Sequence, residues 1–164
     1  MEASIKIENR SQLIYLLTEA AELEHGIMCC YLFAAFTLKN GTEEGVSEPQ
    51  LRSIRRWRRL IRQIAVEEML HLASVCNILT AVGGSPQLHR PNLPTSPRAY
   101  GAAFKLGLYP FSVETLEQFI AIEKPNEPAE GRRTLPSLAQ PRLSDIFSSE
   151  RDYDTQGRLY RGIE

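Results

Sequence analysis

The sequence predicts an all-α fold, a helical bundle built around a pair of long antiparallel helices. Two stretches, 11–39 and 50–82, repeat apolar side chains at the helical period and contain one glycine and no proline between them. Each stretch is followed by a glycine-containing stop signal, Asn40-Gly41 and Gly83-Gly84 respectively. A short polar loop separates them, and matched long helices joined by a short loop are typical of an antiparallel hairpin within a bundle.

The ends of these helices and the shorter elements are predicted from capping residues and prolines. Ser11 is the predicted N-cap of the first helix, and the second helix is predicted to begin at Pro49 or Gln50. Ser112 is the predicted N-cap of a short helix, which Pro125 ends. The other predicted segments are, in chain order, a proline-rich extended crossover at 85–110, the short helix at 113–123, a loop at 126–154 and the first turns of a further helix at 156–164.

Length predicts one domain. A chain of 164 residues is long enough for a single domain, 1–164. Because the sequence ends within a predicted helix, we expect it to be truncated, the N-terminal half of a bundle whose second half is missing. The alternative is a homo-oligomer, in which a second copy covers the exposed apolar stripes.

The net charge, the apolar runs and the cysteines indicate which partners and which cellular compartment to expect. The net charge of -1 gives no bias towards nucleic acid or an anionic membrane. No apolar run approaches the ~20 residues that cross a bilayer, and the N-terminus lacks the pattern of a secretory signal. Cys29, Cys30 and Cys76 have no C-x-x-C spacing and are interpreted as buried thiols of a reducing compartment. We therefore predict a cytoplasmic protein with no nucleic-acid partner and no membrane partner.

Three ionisable side chains lie on the predicted inner faces of the two long helices. At about 100° per residue, Glu24 lies in the middle of an apolar line on the first helix and is the only charged residue there. Glu68 lies at the centre of a matching line on the second helix, with His71 about 60° to one side. The apolar members of the two lines are Leu13, Leu17, Ala20, Met28, Tyr31 and Ala35, and Trp57, Ile61, Ile64, Leu72, Val75, Leu79 and Val82. The opposite half of the second helix carries Arg52, Arg55, Arg56, Arg59 and Arg62.

A buried carboxylate needs a partner, and the spacing of these residues indicates a metal ion. Glu68 and His71 are three residues apart, so both side chains reach one face of the helix and can bind the same ion. Carboxylate and imidazole ligands suit iron or manganese, and the lack of a nearby thiolate argues against structural zinc. Di-metal bundles take a Glu from each of two helices and Glu-x-x-His from each of two others. We predict Glu24, Glu68 and His71 as the metal ligands, half of a carboxylate-rich site with one or two metal ions.

Structural alternatives stay open at this stage. Glu24 pairs with His71 or with an arginine if the three residues form a buried polar network without metal. Tyr31, two turns from Glu24, is interpreted as a core tyrosine, with a hydrogen bond near the site as the alternative. The other candidates are interpreted as a surface or second-layer acid (Glu67), non-ligand histidines (His25, His89) and core thiols (Cys29, Cys30, Cys76).

Three sequence blocks resemble one known family. The blocks are LTEAAELEHGIMCCYLFAAF, AVEEMLHLASVCNILTAVGGSPQL and YPFSVETLEQFIAIEKP. They are similar to the ferritin-like domain of the iminophenyl-pyruvate dimer synthase type, which includes the chromopyrrolate synthases of bisindole pathways. The similarity runs from about Leu13 to Pro125 and resumes at GRLYRGIE. By position, the resemblance implies that Glu24, Glu68 and His71 match the family's first-half metal ligands.

The resemblance implies an iron-dependent oxidoreductase of small-molecule biosynthesis, with manganese as the other metal and haem open as a further cofactor. The implied reaction is oxidative coupling of two amino-acid-derived imines, such as those of indole-3-pyruvate or phenylpyruvate, so the implied partner is a small-molecule substrate. Two non-enzymatic hypotheses stay open. One is a ferritin-like bundle that binds or stores metal, and the other is a degenerate bundle that acts as an interaction module without metal.

Overall fold

The computed structural model describes residues 7–89, 92–95 and 106–123, and these form an all-α structure. Helix α1 covers Arg10–Phe36, helix α2 covers Glu48–Ala81 and helix α3 covers Val113–Ile122. A single turn of 3-10 helix, Thr42–Glu44, lies in the loop between α1 and α2. The described residues contain no strand, so the predicted fold class is confirmed. The predicted loop at 126–154 and the predicted helix at 156–164 lie outside the described residues.

The first helix begins one residue earlier than predicted, and its N-cap is Asn9 rather than Ser11. The backbone of Asn9 is extended, with φ -155° and ψ 164°. Its side-chain oxygen accepts a 3.0 Å hydrogen bond from the backbone N–H of Gln12. This bond satisfies one of the N–H groups that a helix start leaves without an intrahelical partner. The prediction of Ser11 as the N-cap is therefore wrong by two residues, and Ser11 lies inside the first turn of the helix.

Helix α1 ends at Phe36, before the predicted stop at Asn40-Gly41. The hydroxyl of Thr37 donates to the carbonyl of Ala34 at 2.8 Å. Arg58, on α2, donates from Nη2 to the carbonyl oxygens of Leu38 at 2.6 Å and of Lys39 at 2.7 Å. Nε of Arg58 also donates to the carbonyl oxygen of Ala35, in the last turn of α1, at 3.4 Å, so a side chain of the second helix helps to satisfy this helix end.

Helix α2 begins at Glu48, just before the predicted Pro49 or Gln50. Its N-cap is Ser47, which forms a reciprocal capping box with Gln50. At the other end, Arg10 of α1 donates to the carbonyl oxygens of Val82 at 2.6 Å and Gly83 at 2.9 Å. Each long helix therefore supplies an arginine to the C-terminal end of the other, which fixes the antiparallel register.

The core lies where α1 meets α2, and it extends beyond the predicted lines. Helix α1 is also buried at Ala21, Leu23, Ile27 and Ala34, which lie outside its predicted line. The largest fully buried apolar side chains are Tyr31, Leu17, Leu23, Ile27, Leu79 and Leu106. The described part of the crossover is non-helical. Within it, the hydroxyl of Thr95 accepts a 3.0 Å hydrogen bond from the backbone N–H of Leu106.

The prediction that Trp57 is a core residue is wrong. Its side chain is 47% exposed and stacks against Phe111, with ring centroids 6.0 Å apart. Phe111 lies two residues before α3 and donates from its backbone N–H to the hydroxyl of Thr37 at 2.9 Å. The tryptophan therefore packs against the segment that leads into α3, and this contact positions α3 on the helix pair.

Much of the surface of α2 is apolar. Its exposed large apolar side chains are Trp57, Leu60, Val66, Met69, Leu70 and Ile78. Within the described residues, α2 is the one helix that is long and apolar enough to span a membrane. The prediction that the sequence contains no such segment is therefore wrong when length and composition alone are considered. Glu67 and Glu68 lie in its apolar half, and a charged side chain at the centre of a bilayer costs ~2.5 kcal/mol or more. These acids favour a helix of a bundle whose apolar faces meet other helices.

Candidate metal centre

The three residues selected from the sequence meet in the structure. Glu24 of α1 and Glu68 of α2 are 0% and 2% exposed, whereas the side chain of His71 is 53% exposed. Nδ1 of His71 lies 3.5 Å from Oε2 of Glu24 and 3.4 Å from Oε2 of Glu68. One ligand atom from each residue lies within 4.8 Å of the other two, and this is the one such group of histidine, cysteine and acidic residues found in the described ranges.

Helix geometry and helix pairing each account for part of this arrangement. Glu68 and His71 lie at i and i+3 on α2, so their side chains are one turn apart on the same face. Glu24 comes from α1, and the antiparallel register places it opposite that turn. The buried pair therefore lies between the helices, while the imidazole covers it on the solvent side.

The charge on the pair is unfavourable in the absence of a cation. Burial raises the pKa of Glu68, and the hydrogen bond and the charge of Glu24 raise it further, followed by the charges of Glu123 and Glu67. Two carboxylates in one buried site cannot both ionise without a counter-charge, so the metal-free pair retains a proton.

The donor set fits a divalent metal ion. Two carboxylates and one imidazole nitrogen are ligands that iron and manganese accept, and no cysteine joins them. The contacts of 3.4 and 3.5 Å between His71 and the two acids are longer than the ~2.8 Å of a strong charged hydrogen bond. The 3.4 Å contact is a long hydrogen bond between His71 and Glu68, and the same atoms lie close enough together to share one ion. A bound cation would replace the proton that the carboxylate pair otherwise retains.

Tyr31 and Glu123 form a further contact near this group, and sequence reasoning did not assign Glu123 to the site. The hydroxyl of Tyr31 donates a 2.6 Å hydrogen bond to Oε1 of Glu123, the residue that follows α3. Tyr31 is fully buried, as predicted for a core tyrosine, and its ring packs on Phe119 with centroids 4.3 Å apart. The one indication for Glu123 in the sequence was its place near the end of the third block that resembles the family, YPFSVETLEQFIAIEKP. The contact of Glu123 with Tyr31 depends on how α3 packs against α1, and the local sequence pattern does not predict that packing.

The acidic, histidine and cysteine residues that were not predicted as ligands lie outside this group. Glu67 is exposed, although its charge contributes to the raised pKa of Glu68. Nδ1 of His25 lies 3.3 Å from the carbonyl oxygen of His89. All three cysteines are free thiols, and none belongs to the group of Glu24, Glu68 and His71. Cys30 is buried, and burial raises its pKa to about 11.

The fold and the carboxylate–imidazole group define a helical protein of the ferritin-like class, and comparison with known proteins agrees. The ferritin-like family model matches residues 17–164, and the chain belongs to this family. It is 32% identical over 168 residues to the 2-imino-3-(indol-3-yl)propanoate dimerase of Chromobacterium violaceum. That match covers 88% of this chain but 17% of the relative, so the chain spans a small part of the protein it resembles. No solved structure matches the chain.

Proposed function

We propose that this chain is the metal-binding, ferritin-like part of an iron-dependent oxidoreductase of small-molecule biosynthesis. The observation that carries the proposal is the convergence of Glu24, Glu68 and His71 from two helices onto one point. Burying two carboxylates side by side costs folding free energy, and a bound cation offsets that cost. Iron is the proposed ion, and manganese accepts the same ligands.

Each residue has a distinct role in this proposal. Glu24 and Glu68 hold the negative charge in a site from which solvent is excluded, and their positions are fixed by the packing of α1 on α2. His71 is half exposed, so its side of the site is open to a small molecule. Iron, when bound, supplies the one-electron and dioxygen chemistry that amino-acid side chains cannot provide.

The proposed substrate class comes from the relative. That protein is named as a dimerase of 2-imino-3-(indol-3-yl)propanoate. By this likeness, the proposed reaction is oxidative coupling of two amino-acid-derived imines. Likeness in fold alone does not establish a reaction, so the substrate needs its own test.

The apolar surface of α2 supports a proposal about assembly. Leu60, Leu70 and Ile78 are exposed to 50%, 62% and 45% on this helix. Exposed apolar patches mark contact surfaces. We propose that further helices of the bundle, or a second copy of the chain, cover this surface in a cytoplasmic protein.

Metal analysis and oxygen uptake test the proposed function. We expect the purified protein to retain iron in a fixed ratio and the Glu68→Ala variant to lose it. Retention of the same iron content by that variant would exclude the proposed site, and metal-free wild-type protein would favour the interaction module. Oxygen uptake that depends on added arylpyruvate imine would support the enzyme, whereas iron retention without such uptake would favour a storage bundle.

A further inference from the structure

The N-terminal half of α2 carries a dense group of arginines. Residues 52–62 contain six arginines and no lysine, and no acidic residue lies between Glu48 and Glu67. Four of these arginines line a surface groove of about 610 Å³, and they are Arg55, Arg58, Arg59 and Arg62. Val66 and Glu67, about one turn further along α2, line the same groove. Its volume lies in the range of grooves and clefts that bind small molecules.

The positive charge of the groove has no matching negative charge in the described part of the chain. Four guanidinium groups face one carboxylate, that of Glu67, and among the described residues no ion pair neutralises any of the four arginines. Arg59 lies four residues after Arg55 and three before Arg62. Like charges that lie so close on a helix surface destabilise the helix. A bound anion would relieve this repulsion.

The end of α1 holds two of the four guanidinium groups in place. Arg58 donates from Nε and Nη2 to backbone carbonyl oxygens at and just beyond the end of α1, including that of Leu38 at 2.6 Å. Its Nη1 takes no part in these bonds. The guanidinium carbon of Arg62 lies 5.9 Å from the centroid of the Phe36 ring. Because these contacts order the two side chains before a ligand arrives, less conformational entropy is lost on binding.

The residue types in the groove indicate the chemistry of the ligand. Arginine presents a planar fork of N–H donors that matches a carboxylate or a phosphate with two parallel hydrogen bonds. Arg55 and Arg59 are exposed, so their donors are open to a ligand in solution. Val66 is 52% exposed and offers an apolar contact beside these charges. An excess of several positive charges suits a ligand with more than one negative group.

We propose that this groove binds a small organic anion that carries two or more carboxylate or phosphate groups. Arg55 and Arg59 bind the anionic groups directly, and Val66 contacts the carbon skeleton. Arg58 and Arg62 add positive charge at fixed positions. Arg59 and Glu68 are nine residues apart and therefore lie on opposite faces of α2, so the groove is separate from the metal centre and the inference does not rest on the proposed function.

Calorimetric titration with inorganic phosphate and with succinate, at constant ionic strength, tests the proposal. We expect wild type to bind one or both anions in a 1:1 ratio. Arg59→Gln should bind about tenfold more weakly, because it loses a charged hydrogen bond. Arg56→Gln is the matched control, since Arg56 is an exposed arginine of the same helix that does not line the groove, and it should bind like wild type. Arg59→Lys keeps the charge without the planar fork and should show an intermediate affinity.

The outcomes separate the groove from general charge attraction and from the metal centre. Binding of phosphate alone would assign phosphate groups to the ligand, binding of succinate alone would assign carboxylates, and either result supports the site. No binding of either anion by wild type, or equal losses in Arg59→Gln and Arg56→Gln, would overturn the inference. Glu68→Ala should bind both anions as wild type does. Loss of anion binding in Glu68→Ala would place the anion at the metal centre and would also overturn the inference.

Discussion

Glu24 and His71 belong to different helices, yet Oε2 of Glu24 lies 3.5 Å from Nδ1 of His71. Helix pairing alone creates this contact, since no local sequence pattern links the two residues. It places an ionisable ring at the solvent side of a carboxylate that is completely buried. Two buried carboxylates at this contact cost folding free energy in the metal-free protein, and a bound cation would offset that cost.

Replacement of Glu24 should separate stability from metal binding. We expect Glu24→Gln to raise the free energy of unfolding of the metal-free protein by ~1 kcal/mol, because it replaces one ionisable acid of the buried carboxylate pair with a neutral amide. The same change should weaken metal binding. Urea denaturation of the chelator-treated protein measures the first effect and calorimetry the second. A less stable variant with unchanged metal affinity would show that Glu24 is a structural residue.

Arg58 should stabilise the helix pair more than its surface neighbours do. It donates to the carbonyls of Leu38 and Lys39, and charged hydrogen bonds of this kind contribute ~1.5–3 kcal/mol each. We expect Arg58→Ala to lower the free energy of unfolding by ~2–3 kcal/mol. Arg59→Ala, on the exposed face, should stay within ~0.5 kcal/mol of wild type. Equal effects of the two changes would contradict the capping role of Arg58.

The N-cap of α1 can be identified by two substitutions. Asn9→Ala removes the acceptor for the N–H of Gln12 and should cost ~1 kcal/mol of stability. Ser11→Ala lies inside the first turn, where alanine has the higher helix propensity, so its effect should be neutral or slightly favourable. Thermal unfolding of both variants tests which residue is the N-cap. A larger loss of stability in Ser11→Ala than in Asn9→Ala would identify Ser11 as the N-cap.

Cys30 should be the least reactive thiol in the folded protein. It is buried and its pKa is raised to about 11, whereas Cys29 and Cys76 are partly exposed. A maleimide reagent at neutral pH should therefore label Cys29 and Cys76 first, as followed by mass spectrometry. Early labelling of Cys30 in the native state would contradict its placement in the core.

The same thiol predicts a dependence of stability on alkaline pH. The folded protein binds the Cys30 proton more tightly than the unfolded chain, whose value is 9.0. The contribution of the protonated thiol is therefore fully present below pH 9.0 and is lost as the pH rises towards 11. Wild type should lose stability relative to Cys30→Ala across this range, and a constant difference would exclude the effect.

The helical periodicity of the sequence was sufficient to predict the parts of the site that lie on a single helix. Glu68 and His71 share a face at a fixed spacing, and Glu24 interrupts an apolar line, so both features were present in the sequence. Features that depend on packing between distant segments could not be predicted. Trp57 lies on the apolar line of α2 but stacks on Phe111, and Glu123 contacts Tyr31 because Phe119 of α3 packs on the ring of that tyrosine.

Anaerobic titration of the metal-free protein with Fe²⁺, followed by calorimetry, tests the central claim most directly. Glu68→Ala is compared with Glu67→Ala, an exposed neighbour on the same turn of α2. We predict that wild type and Glu67→Ala bind Fe²⁺ in the same fixed ratio and that Glu68→Ala loses this binding. Equal binding by Glu68→Ala and Glu67→Ala, or no binding by wild type, would contradict a metal centre at Glu24, Glu68 and His71.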